Sequence, residues 1–321
     1  MKSARLRWTG FVGLLALLLV AGTGVRVASA ANCGGSTACK CGDTVTRSTT
    51  LSRDIGVCTG TGLRVVSGVT LDCAKRTITG STLSPAKYGV LVDGAKGATV
   101  KNCRVTGFRK GIRLAGGREN EISGNEVFTN HDYGIEMAGG SAANQIARNN
   151  VWNNRDEGIH VGGGAHDNVL RDNVVTRNKR ENIYVLDSDG TQIIGNTITT
   201  NDSAAIFLKH SNESYVAHNT VLYGAIYVRG DSADNTFEDN ALRGNGYYFQ
   251  AYLETSGEWT FPHDNEVIDG KVENTKTCLR FEGAYDNTVD GLMLDDECQV
   301  TTVPMGGHDA SGNVIHTLPL Q

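Results

Sequence analysis

No stretch within the repeating part of this chain carries apolar residues at sustained 3.6-residue spacing, which argues against helical repeats and helix-bearing solenoids such as the leucine-rich type. Methionine is scarce, with four residues, and the eight histidines show no paired spacing, so a copper-handling surface finds little support. Basic residues are outnumbered, 30 against 35 acidic, which excludes the electrostatic footprint of a nucleic-acid binder. Long apolar runs are missing downstream of the N-terminus, so nothing there is fit to cross a bilayer. The one such run, Phe11 to Ala21, is itself short for a span. It follows Lys2, Arg5 and Arg7 and precedes Ala28-Ser29-Ala30, the three parts of a secretory signal cleaved after Ala30. Loss of residues 1–30 would take Lys2, Arg5, Arg7 and Arg26 from the 30 basic residues and no acid. That leaves 26 against 35, a net charge of −9.

What the chain has instead is a repeat. From about residue 88 the segment Gly111-Ile112-Arg113-Leu114 returns with a period of roughly 23 residues as Gly134-Ile135-Glu136-Met137, Gly158-Ile159-His160-Val161, Asn182-Ile183-Tyr184-Val185, Ala205-Ile206-Phe207-Leu208 and Ala225-Ile226-Tyr227-Val228. A second segment follows in step, as in Asn120-Glu121-Ile122, Asn144-Gln145-Ile146 and Asn168-Val169-Leu170, and further asparagines follow at Asn125, Asn149, Asn173, Asn196, Asn219 and Asn240. Each repeat holds three short alternating runs divided by Gly, Asn, Ser and Asp, which read as three strands and their turns. The fold class is therefore all-β: a single-stranded parallel β-helix with three strands per coil and about ten coils. Asn suits the corners because it tolerates the left-handed backbone, and stacked coils about 4.8 Å apart would let its amides form a ladder. One domain suffices, with residues 31–60 as an N-terminal cap and 61–321 as the solenoid.

All eight cysteines lie after the signal, an even number in an exported chain, which points to disulfides. Cys278 and Cys298 are 20 residues apart, about one coil, and so are expected to stack within bonding distance. Cys73 and Cys103 allow the same reasoning. Cys33, Cys39, Cys41 and Cys58 would then tie down the cap, in a connectivity the spacing leaves open. A metal cluster is disfavoured by the spacing of Cys39-x-Cys41.

Alternation turns the Ile and Val of each Gly-Ile-x-Val segment inward and the x residue outward. Down the coils x reads Leu91, Arg113, Glu136, His160, Tyr184, Phe207 and Tyr227, and two residues further on the same face carries Ala115, Ala138, Gly162, Leu186, Lys209 and Arg229. A one-residue slip in register would turn the column inward.

On these repeats, and on the opening phrases Cys41-Gly42-Asp43-Thr44-Val45 and Val69-Thr70-Leu71-Asp72, residues 41–316 resemble right-handed parallel β-helix proteins of the pectate lyase-like superfamily, and in particular NosD-like secreted and periplasmic repeat proteins. The resemblance implies the right-handed fold, and it implies that any chemistry sits on the outward column, since enzymes of this fold place their sites there. It is not specific for one activity. The expected activity is that of a lyase or C5-epimerase acting on an acidic polysaccharide, with His160 as base, Tyr184 as acid and Glu136 orienting His160. Arg113, Lys209 and Arg229 would bind carboxylates, and Tyr227 and Phe207 would contact sugar. Hydrolysis by Glu136 paired with Asp156 or Glu157 is the enzymatic alternative. The alternative from another class is a non-catalytic glycan-binding or structural β-helix. No cofactor is required; calcium on Asp187 and Asp189 is the one ion left open. The expected partner is a polysaccharide, with no nucleic acid and no membrane span in the mature chain, and the expected state is an extracellular or periplasmic monomer. Residues 247–263 break the period with a crowd of aromatics, expected to pack an insertion onto the solenoid.

Overall fold

The computed structural model describes residues 31–81, 87–200 and 203–320, all in strands, turns and loops without a helix. The signal assigned to residues 1–30 lies outside the described residues. Thirteen parallel neighbours, from Asn32–Cys33 through Ile135–Ala138 and Ile159–Val161 to Gln299–Val303, build the first face. The second and third faces join into one sheet of 22 strands, which contains for example Gln145–Ala147 and Asn150–Trp152 of a single coil. The 13-stranded ladder makes about a dozen turns rather than ten, because the first and last coils lack the Gly-Ile-x-Val segment that makes the others countable.

The period explains the core. Ile112, Ile135, Ile159, Ile183, Ile206 and Ile226 stack in line and are fully buried, as are the Leu, Met or Val two residues beyond each. Each such aliphatic side chain gains roughly 1.5–3 kcal/mol by leaving water. Side chains one residue over point out, so the register Arg113, Glu136, His160, Tyr184, Phe207, Tyr227 is the one the alternation predicts.

The asparagines do form ladders, with Nδ2 of each donating to Oδ1 of the next. One runs Asn125, Asn149, Asn173, Asn196, Asn219, Asn240, with donor–acceptor distances of 2.9 to 3.0 Å. Another runs Asn120, Asn144, Asn168, is broken at Thr191 and Ser214, and resumes at Asn235. A third, Asn130, Asn154, Asn178, was not recognised as a ladder in the sequence. The backbone reason differs from the one expected. Left-handed φ falls on the residue before the rung, such as Glu119, Ala143, Arg148 and Asp172, not on the rung itself. The rung is Asn because its amide, buried at the corner, must both donate to a carbonyl and accept from an N–H of neighbouring coils.

The disulfides are Cys33–Cys39, Cys41–Cys58, Cys73–Cys103 and Cys278–Cys298, so no cysteine is left over. The first two tie the cap, whose strands Asn32–Cys33 and Thr44–Val45 continue the first face. In the aromatic coil Tyr247 and Phe249 are core residues, Tyr248 extends the outward column, and Tyr252–Leu253 pairs antiparallel with Trp259–Thr260 as a hairpin. The parallel stacking continues into the last coil, where Val314–Pro319 pairs with Thr288–Leu294.

Candidate functional site

His160 is the centre of the outward column. Its ring stacks on Tyr133, with centroids 4.6 Å apart and planes within 6°, and meets Tyr184 edge-on at 5.5 Å. Tyr133 enters from the loop before the strand of the preceding coil, and its ring in turn lies under Lys110 Nζ, 4.9 Å from the centroid. Gly162, two residues after His160, leaves the space in which Nε2 lies: a Cβ there would sit 2.6 Å from that nitrogen. Nδ1 is buried without a hydrogen-bond partner among the described residues. Burial pushes the imidazole down to about 4; Glu136 opposes this and Lys110, Arg113 and Arg180 add to it. The ring is therefore neutral at neutral pH, able to accept a proton. Burial likewise raises Tyr184 and Tyr133 to about 12, helped by the carboxylates around them, so both keep their phenolic protons.

Glu136 does not orient His160 by a hydrogen bond, contrary to expectation. Its two oxygens are taken by Lys110 Nζ at 2.6 Å and by Arg113, and the carboxylate is almost wholly buried. Lys110 was absent from the candidates because it stands on the strand two residues ahead of the repeating Ile and only folding brings it round to Glu136. Two cations share one carboxylate here, so the cluster keeps one net positive charge. Arg113 is thereby an ion-pair partner first, held on the shoulder of the site.

On the loops ahead of the same strands, Arg180 lies among Asp156 at 3.5 Å, Glu157 at 3.6 Å and Glu181 at 3.5 Å. Glu157 is buried, and burial with Asp156 and Glu181 nearby pushes it up to about 7 despite Arg180. Nothing in the residue types distinguishes the buried Glu157 from its half-buried neighbours Asp156 and Glu181.

Beyond Tyr184 the column is aromatic: Tyr184 stacks on Phe207 at 5.1 Å, and Phe207, Tyr227 and Tyr248 follow at 5.8 and 5.0 Å. Alongside, Lys209 Nζ lies 3.6 Å above the Tyr252 ring, and Arg229 stands between Phe207 and Tyr252 and donates to Gln250 at 2.5 Å. Among the described residues neither cation pairs with a carboxylate. Asp189 accepts from the N–H of Asn212 at 2.8 Å, and Asp187 is a left-handed turn residue. Among the described residues the one group of three donors close enough to share an ion is Cys278, Asp295 and Cys298, whose sulfurs are spent in a disulfide.

The ladders, the three-strand coil and the outward column define a right-handed parallel β-helix. Residues 21–175 match the family described as right handed beta helix region, and residues 144–274 match NosD, described as periplasmic copper-binding protein. The fold is similar to that of the catalytic unit of a thermostable GH87 α-1,3-glucanase from Streptomyces thermodiastaticus, with 14% identity, a TM-score of 0.55 and 85% of this chain covered. This chain spans 61% of that one. It is also similar to a mutant of the periplasmic alginate epimerase AlgG, with 15% identity, a TM-score of 0.52, and 85% of this chain and 76% of that one covered. No curated protein matches the sequence.

Proposed function

We propose that this is an exported carbohydrate-active protein that cleaves or C5-epimerises an acidic, uronate-containing polysaccharide at His160. The observation that carries this reading is the neutral imidazole clamped between Tyr133 and Tyr184, with Nε2 over Gly162. In elimination, His160 takes the C5 proton, the electron pair forms the C4–C5 double bond, and the C4–O bond breaks with Tyr184 protonating the leaving oxygen. The surplus positive charge of Lys110, Arg113 and Glu136 offsets the substrate carboxylate and the charge that builds on it. Epimerisation uses the same abstraction, keeps the C4–O bond and returns a proton to the opposite face of C5. The names of the two similar structures, a glucanase and an alginate epimerase, are in keeping with a glycan as substrate.

A second reading is favoured by Glu157, which near neutral pH is substantially protonated and suited to act as general acid in hydrolysis, with the neighbouring carboxyl of Asp156 or Glu181 as its partner. The products separate the readings. A panel of acidic and neutral polysaccharides, with and without calcium, is followed for the ultraviolet absorbance of unsaturated uronide, for new reducing ends and for exchange at C5. Unsaturated product or C5 exchange supports His160 chemistry. Reducing ends without unsaturation transfer the site to Glu157, and no change in any polymer favours the non-catalytic glycan-binding or structural role.

A further inference from the structure

On the same face, from the coil next to Tyr184 onward, lies a cavity of about 470 Å³ lined by Phe207, Tyr227, Tyr223, Arg229, Asn245 and Glu181, among others. That volume falls in the ~300–1,000 Å³ range of small-ligand sites. Its walls differ from those around His160 in one respect that decides what it can hold. Lys110 and Arg113 are bound to Glu136, and Arg180 lies among three carboxylates, whereas Arg229 has no carboxylate partner among the described residues. Among the described residues its one side-chain hydrogen bond goes to the neutral amide of Gln250, and its buried Nε has no partner. Removing a guanidinium from water without a counter-charge is costly, so a site that keeps one is suited to an anion supplied from outside.

The aromatic part points to a sugar. Phe207 and Tyr227 present rings 5.8 Å apart on the groove floor. Tyr223 stands at the rim, 60% exposed, with φ of +63°. The left-handed region is unfavourable for a bulky aromatic residue, and the same corner in other coils is occupied by Thr129, Asn153 and Arg177. Apolar ring surface beside polar groups is how proteins meet the two faces of a pyranose. Glu181 and Asn245 offer hydroxyl partners on the walls.

We propose that this cavity is a uronate-binding subsite, in which Arg229 takes the carboxylate of one sugar unit while Tyr223, Phe207 and Tyr227 contact its ring, remote from the reacting unit at His160. The polymer then lies along the helix axis, and Arg229 determines the preference for an acidic chain without touching the reacting atoms. This rests on the reading of the protein as a glycan binder but not on any reaction at His160.

The test is calorimetric titration with hexasaccharides of galacturonate, mannuronate and neutral α-1,3-glucan, performed on His160→Gln protein so that the probe survives. At least one uronate hexamer is expected to bind. Adding Arg229→Gln should weaken it about 10-fold or more while leaving any glucan binding unchanged. Arg229→Lys, which keeps the charge, should retain most of the affinity, and Tyr223→Ala should weaken whatever binds. Each variant is checked for an unchanged melting temperature. Equal binding of uronate by the Arg229→Gln protein, glucan binding as tight as uronate binding, or no binding of any hexamer would each overturn the subsite. If uronate binding depends on Arg229 but wild-type protein turns over no polymer, the subsite stands and the reaction at His160 falls.

Discussion

Gly162 and His160 compete for one volume: the Cβ that any other residue would place at position 162 lies 2.6 Å from Nε2 of His160. The glycine is not needed for backbone freedom, since it is absent from the left-handed glycines. It is needed for room. Gly162→Ala should therefore displace the imidazole and leave the solenoid intact. The expected outcome is a loss of turnover of about 100-fold with stability within about 1 kcal/mol of wild type, checked by activity and thermal melts on the same samples. A fully active Gly162→Ala protein would mean that the position of Nε2 is immaterial.

The depressed imidazole makes a prediction with a definite sign. Between pH 6.5 and about 4 the unfolded chain takes up a proton at His160 that the folded protein refuses. This contribution to stability is complete above pH 6.5 and is lost as pH falls toward 4. His160→Gln should flatten that part of the melting temperature profile. In the active protein the acid limb of kcat/KM should lie near pH 4 instead of near 6.5.

Glu157 acts in the opposite sense. Held near 7 by burial, against 4.5 when unfolded, it keeps a proton in the folded protein that the unfolded chain releases. Its contribution is complete below about pH 4.5 and is lost as pH rises through 7. Glu157→Gln should accordingly gain stability relative to wild type on the alkaline side, read from melts at pH 5 and pH 8. An identical difference at both pH values would show that the carboxyl is already ionised in the fold.

The asparagine ladders are expected to carry stability unevenly. Asn149 donates to Asn173 and to the carbonyl of Ile122 and accepts from Asn125, all in buried surroundings. Asn149→Ala leaves several buried groups without partners and should cost about 3 kcal/mol or more. Asn313, the last rung of its ladder and only partly buried, should cost about 1 kcal/mol on the same change, measured by denaturant unfolding.

The row Arg113, Glu136, His160, Tyr184, Phe207, Tyr227 was legible because a strand has a period of two, and six copies of one apolar pair leave a single register that buries them all. What stands beside that row was not. Tyr133 and Lys110 reach the site from outside the repeating tetrapeptide, and their contacts with His160 and Glu136 exist only between coils. Glu157 and Asp156 are adjacent loop acids in sequence, yet Glu157 is the buried one, and Arg180, which reaches both, stands about two dozen residues away. Of the two properties that suggested Asn at the corners, the amide is the one that matters; the left-handed turn belongs to the residue before it.

The most direct test follows ultraviolet absorbance of unsaturated uronide while the purified protein meets a panel of uronate polymers, in parallel with C5 exchange by proton NMR. The account predicts a signal in one of the two that His160→Gln abolishes and Tyr184→Phe reduces. Turnover that survives His160→Gln, or reducing ends with neither unsaturation nor exchange, would contradict it.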